Sequence, residues 1–122
     1  MNAQSEIESW KTEIRRGLIE MCILALLSNK EMYGYEISKT LSSISDGILY
    51  VEEGTLYPLL RRLENKRYIR GEWQIREGKA RKYYKIMPRG LEVLALMKSF
   101  WMDLVDAVNK IMFMGGGRSE PR

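Results

Sequence analysis

The fold is decided by Glu53-Gly54-Thr55-Leu56-Tyr57-Pro58-Leu59-Leu60-Arg61-Arg62-Leu63-Glu64 and by the two stretches after it, Ile69-Arg70-Gly71-Glu72-Trp73-Gln74-Ile75-Arg76 and Arg81-Lys82-Tyr83-Tyr84-Lys85-Ile86-Met87. In the first, Leu56, Leu60 and Leu63 recur at helical spacing with Leu59 beside them, which predicts a helix starting near Gly54. Pro58 fits that start, because a first-turn proline gives up an N–H that has no helical partner. The opposite side carries Gly54, Pro58, Arg61 and Asn65, flanked by Thr55, Tyr57 and Arg62. It is slim at its N-terminal end and basic beyond, which suits entry into a DNA major groove about 12 Å wide. The second stretch alternates with period two over Ile69–Arg76, the pattern of a half-buried strand. Glu77 to Ala80 reads as a turn, with Gly78 free to take positive φ. Arg81 to Met87 returns, with Tyr84 and Ile86 on one face and Tyr83 and Lys85 on the other.

Working outward, Ile7, Trp10, Ile14, Leu18, Met21 and Ala25 step at three and four, a first helix whose second half, Leu18 to Leu27, is apolar nearly all round and belongs inside. Ser28 to Glu31 breaks it. A second helix places Ile37, Leu41 and Ile44 on one face, and Ser42 to Gly47 ends it. Leu49 to Val51 reads as a short strand. Pro88 opens a last helix in which Leu94, Met97, Trp101, Leu104, Val108 and Ile111 keep heptad spacing. The fold class expected is therefore mostly α (α+β), a winged helix-turn-helix with a β-hairpin wing and a C-terminal dimerisation helix. Residues 1–87 form the winged domain, 88–114 the dimerisation helix and 115–122 a disordered tail.

Charge agrees with this order. Arg61 to Arg89 holds 11 basic and 3 acidic residues, a net of +8, whereas the rest of the chain nets −4. The basic quarter falls on the third helix and the hairpin, the two elements that touch DNA in winged helices. The candidates for that contact are Arg61 and Arg62 on the helix, with Thr55, Tyr57 and Pro58 at its slim end. Lys79, Arg81 and Lys82 on the wing suit phosphate rather than base contact. Tyr57 and Tyr83 either donate hydroxyl hydrogen bonds to phosphate or pack their rings against the hairpin. Tyr33 and Lys39 are candidates for positioning the DNA backbone.

Composition narrows the alternatives. With 122 residues, 45% hydrophobic and 30% charged, the chain has room for one modest core. It contains no histidine and one cysteine, Cys22, so Ser-His and Cys-His nucleophile pairs and a structural zinc site are not expected. Neither cofactor nor metal is expected, and no enzyme. Leu18 to Leu27 is far shorter than the ~20 residues of a membrane span. The polar, acidic start does not read as a signal peptide, and a cytoplasmic, nucleoid-associated location is expected. A ligand-binding or protein-interaction dimer on the same fold, without operator binding, is the competing reading, and the basic hairpin argues against it. An RNA binder would need stacking aromatics exposed on a sheet, and none is evident in the sequence.

The first and last helices carry more apolar surface than one small domain can cover. Ile7, Trp10, Ile14, Leu94, Trp101, Leu104, Val108 and Ile111 are accordingly expected at a homodimer interface. Trp101 is either a hydrophobic anchor there or the flat wall of an effector pocket, with Met97, Phe100 and Asp103 suited to a planar aromatic, even cationic, effector. The two roles are compatible.

Tyr33-Gly34-Tyr35-Glu36-Ile37, the Gly54-Thr55-Leu56-Tyr57-Pro58 segment and Arg81-Lys82-Tyr83-Tyr84 resemble the PadR family of bacterial and archaeal transcriptional regulators. The resemblance implies a winged helix, a homodimer on a pseudo-palindromic operator in double-stranded DNA, and release by a small effector. A single short C-terminal helix is similar to the smaller subfamily, and Trp101 stands where some drug-responsive members carry a tryptophan. Two departures are visible. Relatives usually have glycine after the third helix, where this chain has Asn65-Lys66-Arg67-Tyr68, and Asn65 is the residue expected to take left-handed geometry. Relatives often have threonine shortly before Gly90, where this chain has Pro88.

Overall fold

The structure, a computed structural model, describes residues 2–115. The elements in chain order are α1 (Ala3–Leu27), β1 (Met32–Tyr33), α2 (Gly34–Ile44), α3 (Glu53–Asn65), β2 (Ile69–Arg76), β3 (Lys79–Ile86) and α4 (Pro88–Met112). β3 is the centre of a three-stranded antiparallel sheet of order β1-β3-β2. Met32 pairs with Tyr84 and Tyr33 with Tyr83, while Ile69 pairs with Ile86 and Arg76 with Lys79. This is the winged helix-turn-helix expected from the sequence.

The core draws on every helix. Ile19, Ile23, Leu24 and Leu27 of α1, Ile37 and Leu41 of α2, Leu56, Leu59, Leu60 and Leu63 of α3, and Leu94 of α4 form one buried cluster with Met32, Ile69 and Tyr84. Fully burying one such side chain contributes about 1.5–3 kcal/mol, so the leucine row of α3 ties that helix firmly to α1 and α2. α1 starts at a capped end, where the Asn2 side chain accepts a hydrogen bond from the Ser5 N–H at 2.9 Å. Pro88 is the first residue of α4, as expected.

Several details differ from the sequence reading. Leu49 to Val51 is a loop. The Ser45 hydroxyl accepts from the Leu49 N–H at 2.9 Å, which curls this segment after α2, and Leu49 and Val51 pack against the core from there. The sheet position beside β3 goes to Met32–Tyr33 instead. Ile44, at the end of α2, is exposed. Pro58 lies in the second turn of α3, since the helix begins at Glu53. It removes the bond that would run to the Gly54 carbonyl, and exposed Gly54 can leave that carbonyl to solvent.

The alternation along β2 corresponds to burial only at its inner end. Ile69 is buried, but Trp73 and Ile75 are 71% and 78% exposed. The hairpin runs out past the helices, so its outer half has no core to face. Tyr83 and Tyr84 are both buried, although they point to opposite faces. The tip is a two-residue turn in which Glu77 and Gly78 have φ of 52° and 78°, the geometry that matches strand twist. The tail expected from residue 115 lies outside the described residues, apart from Gly115 itself.

α3 closes with paired bonds from the Arg67 N–H to the Glu64 carbonyl at 2.9 Å and from the Tyr68 N–H to the Leu63 carbonyl at 3.0 Å. The left-handed residue in this closure is Arg67, with φ 65°, not Asn65, which stays helical. A side chain there carries a steric cost that glycine avoids. Arg67→Gly should therefore raise stability by about 1 kcal/mol, read as a higher midpoint in urea. Gly90→Ala should do the reverse. A Cβ at Gly90 would run into the backbone carbonyl of Tyr68, which already accepts from the Met87 N–H at 2.9 Å. Overpacking of this kind costs about 1–3 kcal/mol, and an unyielding backbone obstacle places it at the upper end of that range.

Candidate nucleic-acid interface

The leucine row of α3 faces inward, so Arg61 and Tyr57 face outward beside the N-terminus of α2 and the inner face of the hairpin. Between them runs a groove of about 500 Å³, lined by Tyr33, Tyr35, Tyr57, Arg61, Trp73 and Lys82 among others. Gly34 makes the close approach of α2 and α3 possible, because a Cβ there would collide with the Tyr57 hydroxyl and ring.

The basic residues divide into held and unheld. Arg62 is turned toward α1, where its guanidinium donates two bonds to Glu20, at 2.9 and 2.5 Å. Lys66 stands 4.0 Å from the same carboxylate. Lys82 lies 3.5 Å from Glu64, whose other oxygen accepts from the Gly71 N–H at 3.1 Å. Arg76 pairs with Glu31 at 3.1 Å. Among the described residues of this basic segment, Arg61, Arg67, Lys79, Arg81, Lys85 and Arg89 have no acidic partner. Lys79 is exposed beside the wing turn.

On the other face of the hairpin, aromatic rings hold the guanidinium groups. Arg81 lies 4.3 Å from the centroid of the Tyr33 ring. Tyr33 meets Tyr83 edge-on at 5.4 Å, and Arg76 covers Tyr83 at 3.7 Å. Tyr83 is 6% exposed, so its ring is a packing element of this stack. Lys39 is exposed on α2, about 6.0 Å from the Tyr35 ring. Thr55 and Pro58 line a different groove, of about 530 Å³, between α3 and α1, with Thr12, Arg16, Tyr50 and Arg62. There Arg15 is pinned, its Nε donating to the Ile48 carbonyl at 2.7 Å. The helix pattern groups Thr55, Pro58, Arg61 and Arg62 on and beside one face. The structure sends Arg61 to the wing side and the other three to the α1 side.

Away from this face, α1 and α4 present Ile7, Trp10, Ile14, Phe100, Trp101, Leu104, Val108 and Ile111 to solvent. Asp103 is exposed beside them. Leu94 is a correction to that set, being 3% exposed and committed to the protomer's own core. Met97 packs against the same core. Neither of the two grooves is lined by α4. Cys22 is half-buried, and burial pushes its thiol above the ordinary value, so it is a poor nucleophile. Among the described residues no cluster of candidate metal ligands is found, and no helix is long and apolar enough to cross a membrane.

Sequence reasoning missed the acidic partners Glu20, Glu31 and Glu64, and it missed the exposure of Trp73. For Glu20 the signal was present, as the one charge interrupting the apolar run Leu18 to Leu27.

A leucine-anchored helix beside a basic hairpin, both carried on a helix-turn-helix, defines a winged-helix regulator of transcription. Residues 23–96 match the Transcriptional regulator PadR-like family, and the chain belongs to that family. A PadR family regulator from Eggerthella lenta is 35% identical, with a TM-score of 0.81 over 92% of this chain and 96% of its own. A PadR-like regulator from Bacillus cereus is 37% identical, with a TM-score of 0.75 over 82% of this chain and 96% of its own. A transcriptional regulator of Mycobacterium tuberculosis is 32% identical over 82 residues, 67% of this chain and 74% of that protein.

The contact between Gly34 and Tyr57 is open to a double-mutant cycle. Gly34→Ala should destabilise by about 1–3 kcal/mol, measured by urea denaturation. The same change on a Tyr57→Ala background should cost little, because the obstructing ring is gone.

Proposed function

We propose that this PadR-family protein is a repressor that binds a pseudo-palindromic operator as a homodimer and is released by a small effector. The observation that supports this best is the separation of charge on the α3–wing face. Acids on α1, α3 and the segment before β1 hold Arg62, Lys82 and Arg76, while Arg61 and Lys79 stay free for a polyanion. On this reading Arg61 reaches base edges, because it projects from the middle of α3. Lys79 and Arg81 contact phosphate, and Tyr33, Tyr57, Lys39 and Lys82 position the backbone. Tyr83 acts beneath them as the packing that holds Arg76. Thr55, Pro58 and Arg62 meet DNA only along its flank on the α1 side.

Residues 1–87 act as the DNA-binding unit, and 88–114 as the dimerisation helix, whose first turns also complete the protomer core. Two copies bury Ile7, Trp10, Ile14, Trp101, Leu104, Val108 and Ile111 against one another. A planar aromatic effector seats beside Trp101, Phe100 and Asp103 at the dimer interface, near Met97. It acts by binding one spacing of the two recognition helices better than another. The function is binding rather than catalysis, and its setting is the cytoplasm, on the nucleoid.

Selection of bound duplexes from a random pool should return a palindromic consensus, and a pool with no enrichment would remove the operator from this reading. Lys79→Ala should weaken binding to all sequences and lower the log–log salt slope by roughly one. Arg61→Ala should cost about 1–3 kcal/mol of discrimination at one base pair. Trp101→Glu should halve the mass seen by light scattering, since it places a charge in a desolvated seam. A wild-type protein that scatters as a monomer would rule the dimer out.

A further inference from the structure

The outer half of the wing carries an indole and an isoleucine that no core covers, on the face of the hairpin that looks toward α3. Trp73 pairs across the ladder with Lys82, and Ile75 with Ala80. Both are more than two-thirds exposed. The small Ala80 leaves them open, and Trp73 forms one wall of the groove whose other wall holds Arg61 and Tyr57. A wing that delivered only charge would have no need of this surface, and leaving it in water is unfavourable.

We propose that this groove seats one strand of the DNA duplex, with the Trp73 indole packed against deoxyribose and base edges and Ile75 extending the same contact toward the wing tip. This deepens the operator-binding reading and rests on it. Charge identifies the occupant. Lys82 shares the hairpin face of the apolar pair and Arg61 faces it from α3, while Arg81 and Lys79 alternate to the other face of the hairpin and border the groove from there. The one acid in the groove, Glu64, is already engaged by Lys82 at 3.5 Å and by the Gly71 N–H at 3.1 Å. With Lys82 engaged by Glu64, Arg61 leaves the groove positive beside its apolar wall, which matches a strand whose phosphates are anionic and whose deoxyribose rings offer C–H surface. Such a contact adds affinity without releasing counterions. The wing thereby supplies two separable contributions, one that falls with salt through Lys79 and one that does not through Trp73.

The test uses the full-length protein and a labelled mixed-sequence duplex of about three helical turns, with anisotropy followed across a salt series. Trp73→Ala should weaken binding about tenfold with an unchanged log–log salt slope. Trp73→Phe should restore most of the loss, and Ile75→Ser should give a smaller loss of the same kind. Both side chains are exposed, so circular dichroism melts should stay near wild type. The change in tryptophan emission on adding the duplex to wild type should be lost in Trp73→Phe. If Trp73→Ala binds as wild type while Lys79→Ala weakens binding and flattens the slope, the indole is not on DNA, although the operator reading stands. If Trp73→Ala instead abolishes a concentration-dependent self-association seen in sedimentation, the patch serves a second copy, and this inference is overturned. If the wild type does not bind the duplex even at low salt, the operator reading fails and takes this one with it.

Discussion

Everything on the functional face depends on the burial of one row of leucines. Leu56, Leu59, Leu60 and Leu63 occupy a single side of α3, and they share one cluster with Ile23 and Leu24 of α1 and Ile37 of α2. At about 1.5–3 kcal/mol for each side chain, rotating α3 by a fraction of a turn is far costlier than any surface contact can offset. The outward direction of Tyr57 and Arg61 is therefore set by hydrophobic packing on the far side of the helix. The same row explains why a mid-helix proline is tolerated. The bond lost at Pro58 is small beside the burial that holds the helix in place.

The wing is fixed to this helix by polar means. Glu64 reaches from α3 to the Gly71 N–H and to Lys82, and Gly71 permits the approach because a side chain there would meet both Glu64 and Tyr84. Glu31 holds Arg76 in the same way from the segment before β1. These pairs are partly open to solvent, and each contributes little stability by itself. Their consequence is geometric. They orient part of the basic surface and leave a subset of cations without partners, and that subset is where a polyanion gains most.

The apolar surfaces divide along the chain in a related way. The first turns of α4 are committed to the protomer core through Leu94 and Met97, and the stretch from Phe100 onward leaves the domain. The N-terminal half of α1 leaves it too, with Trp10 exposed. A single helix thus serves the inside of one protomer at its start and an outward apolar face at its end, so a disturbance at Trp101 lies one or two turns from the core that holds α3.

The sequence by itself determined the four helices and the hairpin, the inward leucines of α3, the helix start at Pro88 and the basic segment, because each depends on local periodicity or composition. It also carried the family resemblance in Tyr33-Gly34-Tyr35 and Gly54-Thr55-Leu56-Tyr57-Pro58. Only the tertiary structure decided that β1 is Met32–Tyr33, that Trp73 and Ile75 stand beyond the core, that Leu94 stays within the protomer, and that Arg61 and Arg62 part company. The physical reason is common to all four. Alternation along a strand says which side chains share a face, but not whether anything lies opposite that face. A run of basic residues says how much charge there is, but not which cations meet a carboxylate 42 residues away, as Arg62 meets Glu20. Those outcomes belong to pairs of residues distant in the chain, and they exist only once the leucine row has brought the helices together.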